Sequence, residues 1–281
     1  MTAAPVNKII PFSSVDGPGN RTAVFLQGCN QNCLYCHNPE TINFCRNCGA
    51  CVSACPAGAL LWEHTGEGRR VAYDFEKCCG CDTCIKVCSF DASPKIRVMA
   101  AGRLFEEVRG FFPFINGVTT SGGECSLHLD FLKEFYTLVK EAGKTTFMDT
   151  NGQIPLWERE DVLAVTDKTM IDLKAGNEED HRKLTGRGLA AVVENIKRMA
   201  AAGKLYEIRT VVVPGAVDNL ETVRLGSRLI ADYPEVRYKL IKFRHYGVRE
   251  NFAGTREPED GYMDELKMQA VSAGVRDVVV T

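Results

Sequence analysis

The chain has 281 residues with 34 Lys and Arg against 36 Asp and Glu, a formal charge of −2, and is 45% hydrophobic and 25% charged. This is the composition of a folded globule with room for a real core, not of a disordered chain. The near-balance of charge speaks against nucleic-acid binding by phosphate neutralisation. No apolar run reaches the ~18 residues of a membrane span, and an N-terminus without a long apolar stretch predicts a cytoplasmic protein.

In chain order, the first punctuation is Asp16-Gly17-Pro18-Gly19, two turn signals in succession. The apolar run Ala23-Val24-Phe25-Leu26 predicts a buried strand over 21–27. It feeds a loop in which Cys29, Cys33 and Cys36 are spaced C-x3-C-x2-C, with Tyr35 just before the last thiol and His37 just after it. Of 13 cysteines, only Cys125 lies beyond Cys88. Such bunching suits metal centres in a reducing compartment better than disulfides. Three thiolates leave one iron of a four-iron cluster without a protein ligand, and an open metal position is a place for substrate chemistry.

Residues 43–94 form a predicted insert with an internal repeat. Cys45, Cys48, Cys51 and Cys55, followed by Pro56, read C-x2-C-x2-C-x3-C-P, and Cys78, Cys81, Cys84 and Cys88 repeat the spacing. That is the run by which bacterial ferredoxins hold two [4Fe–4S] clusters, the fourth Cys of each run serving the other cluster. The expected sets are Cys45, Cys48, Cys51 and Cys88, and Cys78, Cys81, Cys84 and Cys55. Cys79 is an extra thiol beside Cys78, and either fits as ligand, although Cys78 keeps the spacing. Between the runs, Leu60-Leu61-Trp62 and Val71-Ala72-Tyr73 flank a turn-rich stretch and predict a hairpin. Paired zinc sites are the competing reading of C-x2-C spacing.

Beyond the insert, five further strands are predicted at 117–121, 145–149, 169–173, 206–213 and 237–243, with amphipathic helices around Phe131–Val139 and Val192–Met199. Alternating strands and helices imply a parallel sheet whose ligands collect at the strand C-terminal ends. Chemistry-bearing residues fall there: Gly122-Gly123-Glu124, Asp149-Thr150, Asp172-Leu173-Lys174 and Arg209. Asp172 and Lys174 also fit a surface salt bridge, and Arg209 a structural ion pair.

C-x3-C-x2-C, Asp16-Gly17-Pro18-Gly19, Gln27-Gly28-Cys29 and Tyr35-Cys36-His37-Asn38 together resemble the glycyl-radical-enzyme activases of the radical S-adenosylmethionine (SAM) family. Lys8-Ile9-Ile10-Pro11-Phe12-Ser13 and Leu184-Thr185-Gly186-Arg187 resemble most the YjjW-type activase. The resemblance implies an α/β fold: a partial (β/α)6 barrel, from 1–42 and 95–281, carrying a two-cluster ferredoxin-like insert at 43–94. It implies three [4Fe–4S] clusters and SAM, with Tyr35, His37, Gly122, Gly123, Glu124, Asp149, Thr150, Asp172, Leu173, Lys174 and Arg209 around the cofactor. A monovalent cation among Asp149, Thr150, Met170 and Asp172 is also implied, because two carboxylates in one dry site need a counter-charge. Asp16 would anchor the glycine loop of a partner enzyme, and a flavodoxin or ferredoxin would supply electrons. On the sixth strand the family places a His three residues before a Gly. Here Arg244 holds that position and His245 follows it, so either is a candidate SAM contact.

The expected reaction is reductive cleavage of SAM, with hydrogen abstraction from a partner's glycine by the 5′-deoxyadenosyl radical. It needs no general acid–base pair and implies an anaerobic setting. Two other readings are a radical SAM enzyme acting on a small molecule and a ferredoxin-type electron carrier. The first often carries cysteines after the barrel, and the second needs neither a barrel nor a three-Cys site.

Overall fold

The computed structural model describes residues 2–66, 68–249, 252 and 254–281. One sheet dominates. Its strands are β1 (Ala3–Ser13), β2 (Arg21–Leu26), β5 (Arg97–Ala100), β6 (Gly117–Gly122), β7 (Thr145–Thr150), β8 (Lys168–Asp172), β9 (Leu205–Val212), β10 (Arg237–Lys242) and β11 (Asp277–Val280). The order is β11-β10-β9-β8-β7-β6-β2-β1-β5, parallel from β2 to β11, with β1 antiparallel to both β2 and β5. The sheet is therefore mixed and open, with edges at β5 and β11.

All six predicted strands are present, and three unpredicted ones extend the sheet. β1 holds Pro5 and Pro11, which demote a run as a central strand, while β5 and β11 have four residues each, too few for a periodic signal.

The inner strands are buried almost throughout because helices cover parallel strands. The helix α4 (Leu129–Glu141) turns Leu129, Leu132, Phe135, Tyr136 and Val139 inward, and α7 (Ala190–Ala201) turns Val192, Ile196 and Met199, as the sequence periodicity requires. At the opposite end of the sheet from the cysteine loop, buried Arg21 donates to Thr119 Oγ1 (2.7 Å), Thr145 Oγ1 (2.9 Å) and the Val118 carbonyl (2.8 Å). Its guanidinium also lies 4.0 Å from the centroid of the Phe147 ring. Those bonds satisfy a charge that burial would otherwise make costly.

The segment 43–94 leaves and rejoins this frame at one point, an isolated bridge between Asn43 and Ala92. Within it, β3 (Leu60–Thr65) and β4 (Gly68–Tyr73) form the expected antiparallel hairpin. The turn residue Glu67 lies outside the described residues. Helices α1 (Ala50–Ala54) and α2 (Thr83–Lys86) are short, and the buried centre is Cys51, Leu60 and Cys84. No described helix is long and apolar enough to cross a membrane.

Candidate functional site

β2 ends at Leu26, and the chain turns at Gly28, whose φ of +100° is open to glycine at little cost. The loop then closes on itself: Gly28 N–H donates to the Thr41 carbonyl (2.8 Å) and Cys29 N–H to the Ile42 carbonyl (3.0 Å). Buried Gln27 ties the same return segment through Nε2, to the carbonyls of Glu40 (2.8 Å) and Asn43 (2.6 Å). Cys29, Cys33 and Cys36 all line one cavity of about 220 Å³. Burial pushes each thiol up to about 11, so within the protein alone they are neutral; a bound metal would be what makes them thiolates.

The facing wall comes from strand ends. Ser121 and Gly122 end β6 and Gly123 and Glu124 follow it, Asp149, Thr150 and Asn151 close β7, Asp172 and Lys174 close β8, and Arg209 stands on β9. Besides lining the cavity, the two glycines make a close backbone contact. A Cβ on Gly122 would sit 2.1 Å from the Leu26 carbonyl oxygen, and one on Gly123 2.3 Å from that of Gly28. They let β6 approach the backbone of the cysteine loop, which in turn sets the cavity width. Glu124 is buried and accepts from Ser126 N–H (2.9 Å), Thr150 Oγ1 (2.7 Å) and Asn151 N–H (2.7 Å). Burial pushes its carboxyl up, and those bonds oppose the shift.

Three internal ion pairs set the electrostatics. Lys174 Nζ lies 2.7 Å from Asp172 Oδ2, and the Lys174 ammonium is 5.7 Å from the centroid of the Tyr35 ring. Burial works against the Lys174 charge, but Asp172, Tyr35 and Cys33 outweigh it and raise its pKa. With the Lys174 side chain only 11% exposed, this is a cavity pair, not a surface salt bridge. Arg209 Nη1 is 3.1 Å from Asp149 Oδ1, and its Nε is 2.6 Å from Glu207 Oε1. Burial moves Asp149 up to about 6; Arg209 pulls it down and Asp172 pushes it further up.

The four residues implied for a monovalent cation are each engaged within the chain. Asp149 pairs with Arg209, Met170 Sδ accepts from Arg209 Nη2 (2.9 Å), Thr150 donates to Glu124, and Asp172 pairs with Lys174. Arg209 and Lys174 thus supply counter-charge to these two carboxylates, and Arg209 also serves Glu207.

Tyr35 and His37 line the cavity as expected. Three other expected contacts do not. Leu173 is a main-core residue whose carbonyl accepts from Thr210. β10 ends at Lys242, so Arg244 and His245 sit in a loop, where strand alternation no longer governs them. His37 Nε2 donates to the Arg244 carbonyl (2.9 Å), so Arg244 acts there through its backbone, while exposed His245 pairs with Glu257 at 2.9 Å. From the sixth predicted strand, Ile241 lines the cavity instead.

Sequence reasoning passed over Gln31, Asn38 and Asn151, which also line it. Asn151 stood next to a chosen pair, and its Nδ2 faces Cys29 Sγ at 3.8 Å. Buried Tyr35 Oη and Gln31 Nε2 have no hydrogen-bond partner among the described residues. Three convergent thiols, two unsatisfied polar atoms and flanking charges of both signs fit a cluster with a polar, zwitterionic cofactor beside it.

Asp16 accepts from Ser13 Oγ through its carboxylate and from Thr119 Oγ1 (2.6 Å) through its carbonyl, while the Val15 carbonyl accepts from Arg209 (3.5 Å). The turn therefore reaches the inner end of the Arg209 network. Cys125 is a buried thiol, donating to the carbonyls of Asp149 (3.2 Å) and Thr120 (3.4 Å).

In the insert, Cys55, Cys78, Cys81 and Cys84 line a second cavity, with Cys79 also at its wall. Cys55, from the first run, thus lies beside three cysteines of the second. Burial first, then the charges of Cys45, Cys84 and Cys48, push the Cys51 thiol up to about 11. Cys88, half-buried, is absent from the second cavity. Among the described residues no three His, Cys, Asp or Glu side chains gather tightly enough to hold a single metal ion.

An α/β sheet with three thiols at the end of its first parallel strand defines a class, and the comparisons with known proteins carry the same class. Residues 23–225 match the sequence model of the Radical SAM superfamily. The chain is 30% identical to the isethionate sulfite-lyase activating enzyme of Desulfovibrio desulfuricans, across 96% of this chain and 92% of that protein. It is 28% identical to the pyruvate formate-lyase 1-activating enzyme of Escherichia coli K12, across 93% of this chain and 94% of that protein. In fold it is similar to the crystal structure of a domain of the pyruvate-formate lyase-activating enzyme from Bacteroides vulgatus, with a TM-score of 0.51 and 20% identity, over 59% of this chain and 99% of that domain. The chain belongs to the radical SAM superfamily and, within it, to the activating enzymes of glycyl radical enzymes.

Proposed function

We propose that this enzyme cleaves SAM in the cavity between the cysteine loop and the strand ends, and uses the resulting radical to take a hydrogen atom from a glycine of a partner enzyme. The observation that carries the reading is the convergence of Cys29, Cys33 and Cys36 on the wall made by Glu124, Asp172, Lys174 and Arg209. A [4Fe–4S] cluster on the three thiols would supply the one electron that splits the sulfonium into methionine and a 5′-deoxyadenosyl radical.

The chain's own residues bind, orient and shield. Glu124 has three donors on two oxygens and room for one more, which suits the SAM ammonium. Lys174 and Arg209 are held charged by burial-resistant partners and suit a carboxylate. Tyr35, His37, Val211 and Ile241 give the apolar and aromatic surface that suits the nucleoside and keeps water out. Arg209 and Lys174 face three carboxylates, Asp149, Glu207 and Asp172, so a monovalent cation beside Asp149 and Asp172 remains part of the proposal. Asp16, close to Arg209 through its own turn, is the proposed anchor for the partner's glycine loop.

The insert at 43–94 is proposed as a ferredoxin-like unit, between 1–42 and 95–281 of the barrel, with two further [4Fe–4S] clusters. Its sets are Cys45, Cys48, Cys51 and Cys88, and Cys55, Cys78, Cys81 and Cys84; the shared cavity of the latter supports the crossed assignment. A flavodoxin or ferredoxin in an anaerobic cytoplasm fits as electron donor.

The test is anaerobic reconstitution with iron and sulfide, then SAM and dithionite. The enzyme should release 5′-deoxyadenosine, and with its partner should give the electron paramagnetic resonance doublet of a glycine-centred radical. Protein that binds iron yet releases no 5′-deoxyadenosine refutes the reading and leaves an electron carrier.

A further inference from the structure

The turn Leu184-Thr185-Gly186-Arg187 has no part in the cavity, yet it is built with care. It caps α6 (Glu178–Thr185), with Gly186 at φ +76°. Thr185 Oγ1 donates to the His181 carbonyl (2.7 Å) and accepts from Arg187 N–H (3.1 Å), and His181 Nδ1 donates to the Arg187 carbonyl (2.8 Å). What this stiff turn holds is the three-residue gap between Cys29 and Cys33. Asn32 N–H donates to the Thr185 carbonyl (2.9 Å), and Leu34 N–H to that of Leu184 (2.9 Å). Arg187 Nε donates to the Asn30 carbonyl (2.6 Å).

A second arginine reaches the same gap from the other side. Arg249 Nη2 donates to Asn32 Oδ1, and its Nε lies 2.9 Å from Asp91 Oδ2 at the foot of the insert. The middle residue of the gap faces inward instead: Gln31 N–H donates to Cys29 Sγ (3.4 Å), and Cys33 Sγ donates to Gln31 Oε1 (3.3 Å). The two outer residues of the gap are thus gripped, and the inner one touches both sulfurs.

We propose that Arg187 and Arg249 are positioning residues that clamp Asn30 and Asn32 and thereby fix the spacing of Cys29 and Cys33, with Arg249 tying that spacing to the insert through Asp91. The two arginines differ in what they demand. Arg187 makes one bond to the gap, which an ammonium can replace. Arg249 reaches two partners through different nitrogens, a hydrogen bond from Nη2 to Asn32 and a charge contact of Nε with Asp91, which a single ammonium on a flexible stem does not reproduce. The inference extends the proposed SAM site but does not depend on it, because the clamp is a property of the loop.

The experiment is hydrogen exchange of the loop amides 30–34 in the full chain purified without oxygen, comparing Arg187→Ala, Arg187→Lys, Arg249→Ala and Arg249→Lys. Both alanine variants should exchange about tenfold faster in this loop, the size of one hydrogen bond from a charged group. Exchange in β6 to β9 should stay at the wild-type rate. Arg187→Lys should restore protection and Arg249→Lys should not. Asn32→Ala, which leaves the Arg249–Asp91 pair intact, should act in the same direction as Arg249→Ala. Alanine variants with unchanged loop exchange, or equal rescue by lysine at both positions, overturn the clamp. The same samples carry a second readout, the change in the reduced cluster's paramagnetic spectrum on adding SAM. Its absence in the wild type would refute the SAM site while the exchange result still decides the clamp.

Discussion

Around Cys29, Cys33 and Cys36 the chain is held by hydrogen bonds from segments as distant as Thr185, Arg187 and Arg249, against a sheet whose strands are buried on both faces. The insert carrying Cys45 to Cys88 has helices of five and four residues, one hairpin, and a buried centre in which two of three residues are cysteines. A segment that small does not bury enough apolar surface to order itself, and its cysteines stand where a core would be. The comparison teaches that similar thiol spacings are supported in two ways. In the barrel the protein shapes the site before anything binds. In the insert the proposed clusters would complete the fold.

The sharpest way to break this contrast is Cys29→Ser, which should reduce 5′-deoxyadenosine production to background while far-ultraviolet circular dichroism stays unchanged. Next, stripping iron with a chelator should release hydrogen-exchange protection across 43–94 and leave β6 to β9 protected. Equal loss in both regions would show that the barrel, too, needs its ligands to fold. Gly123→Ala comes third, since its Cβ would lie 2.3 Å from one backbone oxygen and 2.6 Å from another. It should cost about 3 kcal/mol, the upper end for overpacking, in thermal unfolding. Gly80→Ala in the insert meets nothing within 4 Å at φ +71° and should cost only the left-handed backbone penalty, about 1 kcal/mol.

Asp172→Asn leaves Lys174 without its carboxylate and should weaken SAM binding about tenfold, measured by calorimetry on the reconstituted enzyme. The smallest effect belongs to the loop after β10. Arg244→Ala and His245→Ala keep the backbone that His37 uses, so SAM affinity should stay within about twofold. A tenfold loss for either would return that side chain to the site.

What the sequence disclosed follows the same division. Strand positions were legible for β2 and for β6 to β10, because each is a short apolar run between turn signals, and so was the hairpin in the insert. The thiols were legible because metal ligation constrains spacing along the chain. Contacts made across the chain were not. Nothing local marks Asn151 as facing Cys29, or Gly122 and Gly123 as packing against the backbone of the cysteine loop. Leu173 sits between two cavity residues, and alternation on a strand end sends its side chain into the core, which adjacency in sequence does not reveal. β1 was hidden by its prolines, although its antiparallel register with β2 carries the near edge of the sheet.

The single bridge between Asn43 and Ala92 means that the chain departs from the barrel and comes back to it at neighbouring positions. Excising what is strung between those positions should leave two ends side by side that a short linker can join, with the sheet order untouched. The segment proposed to carry the extra clusters is thus attached to the sheet like a loop, free to vary in length while the strand order stays as it is.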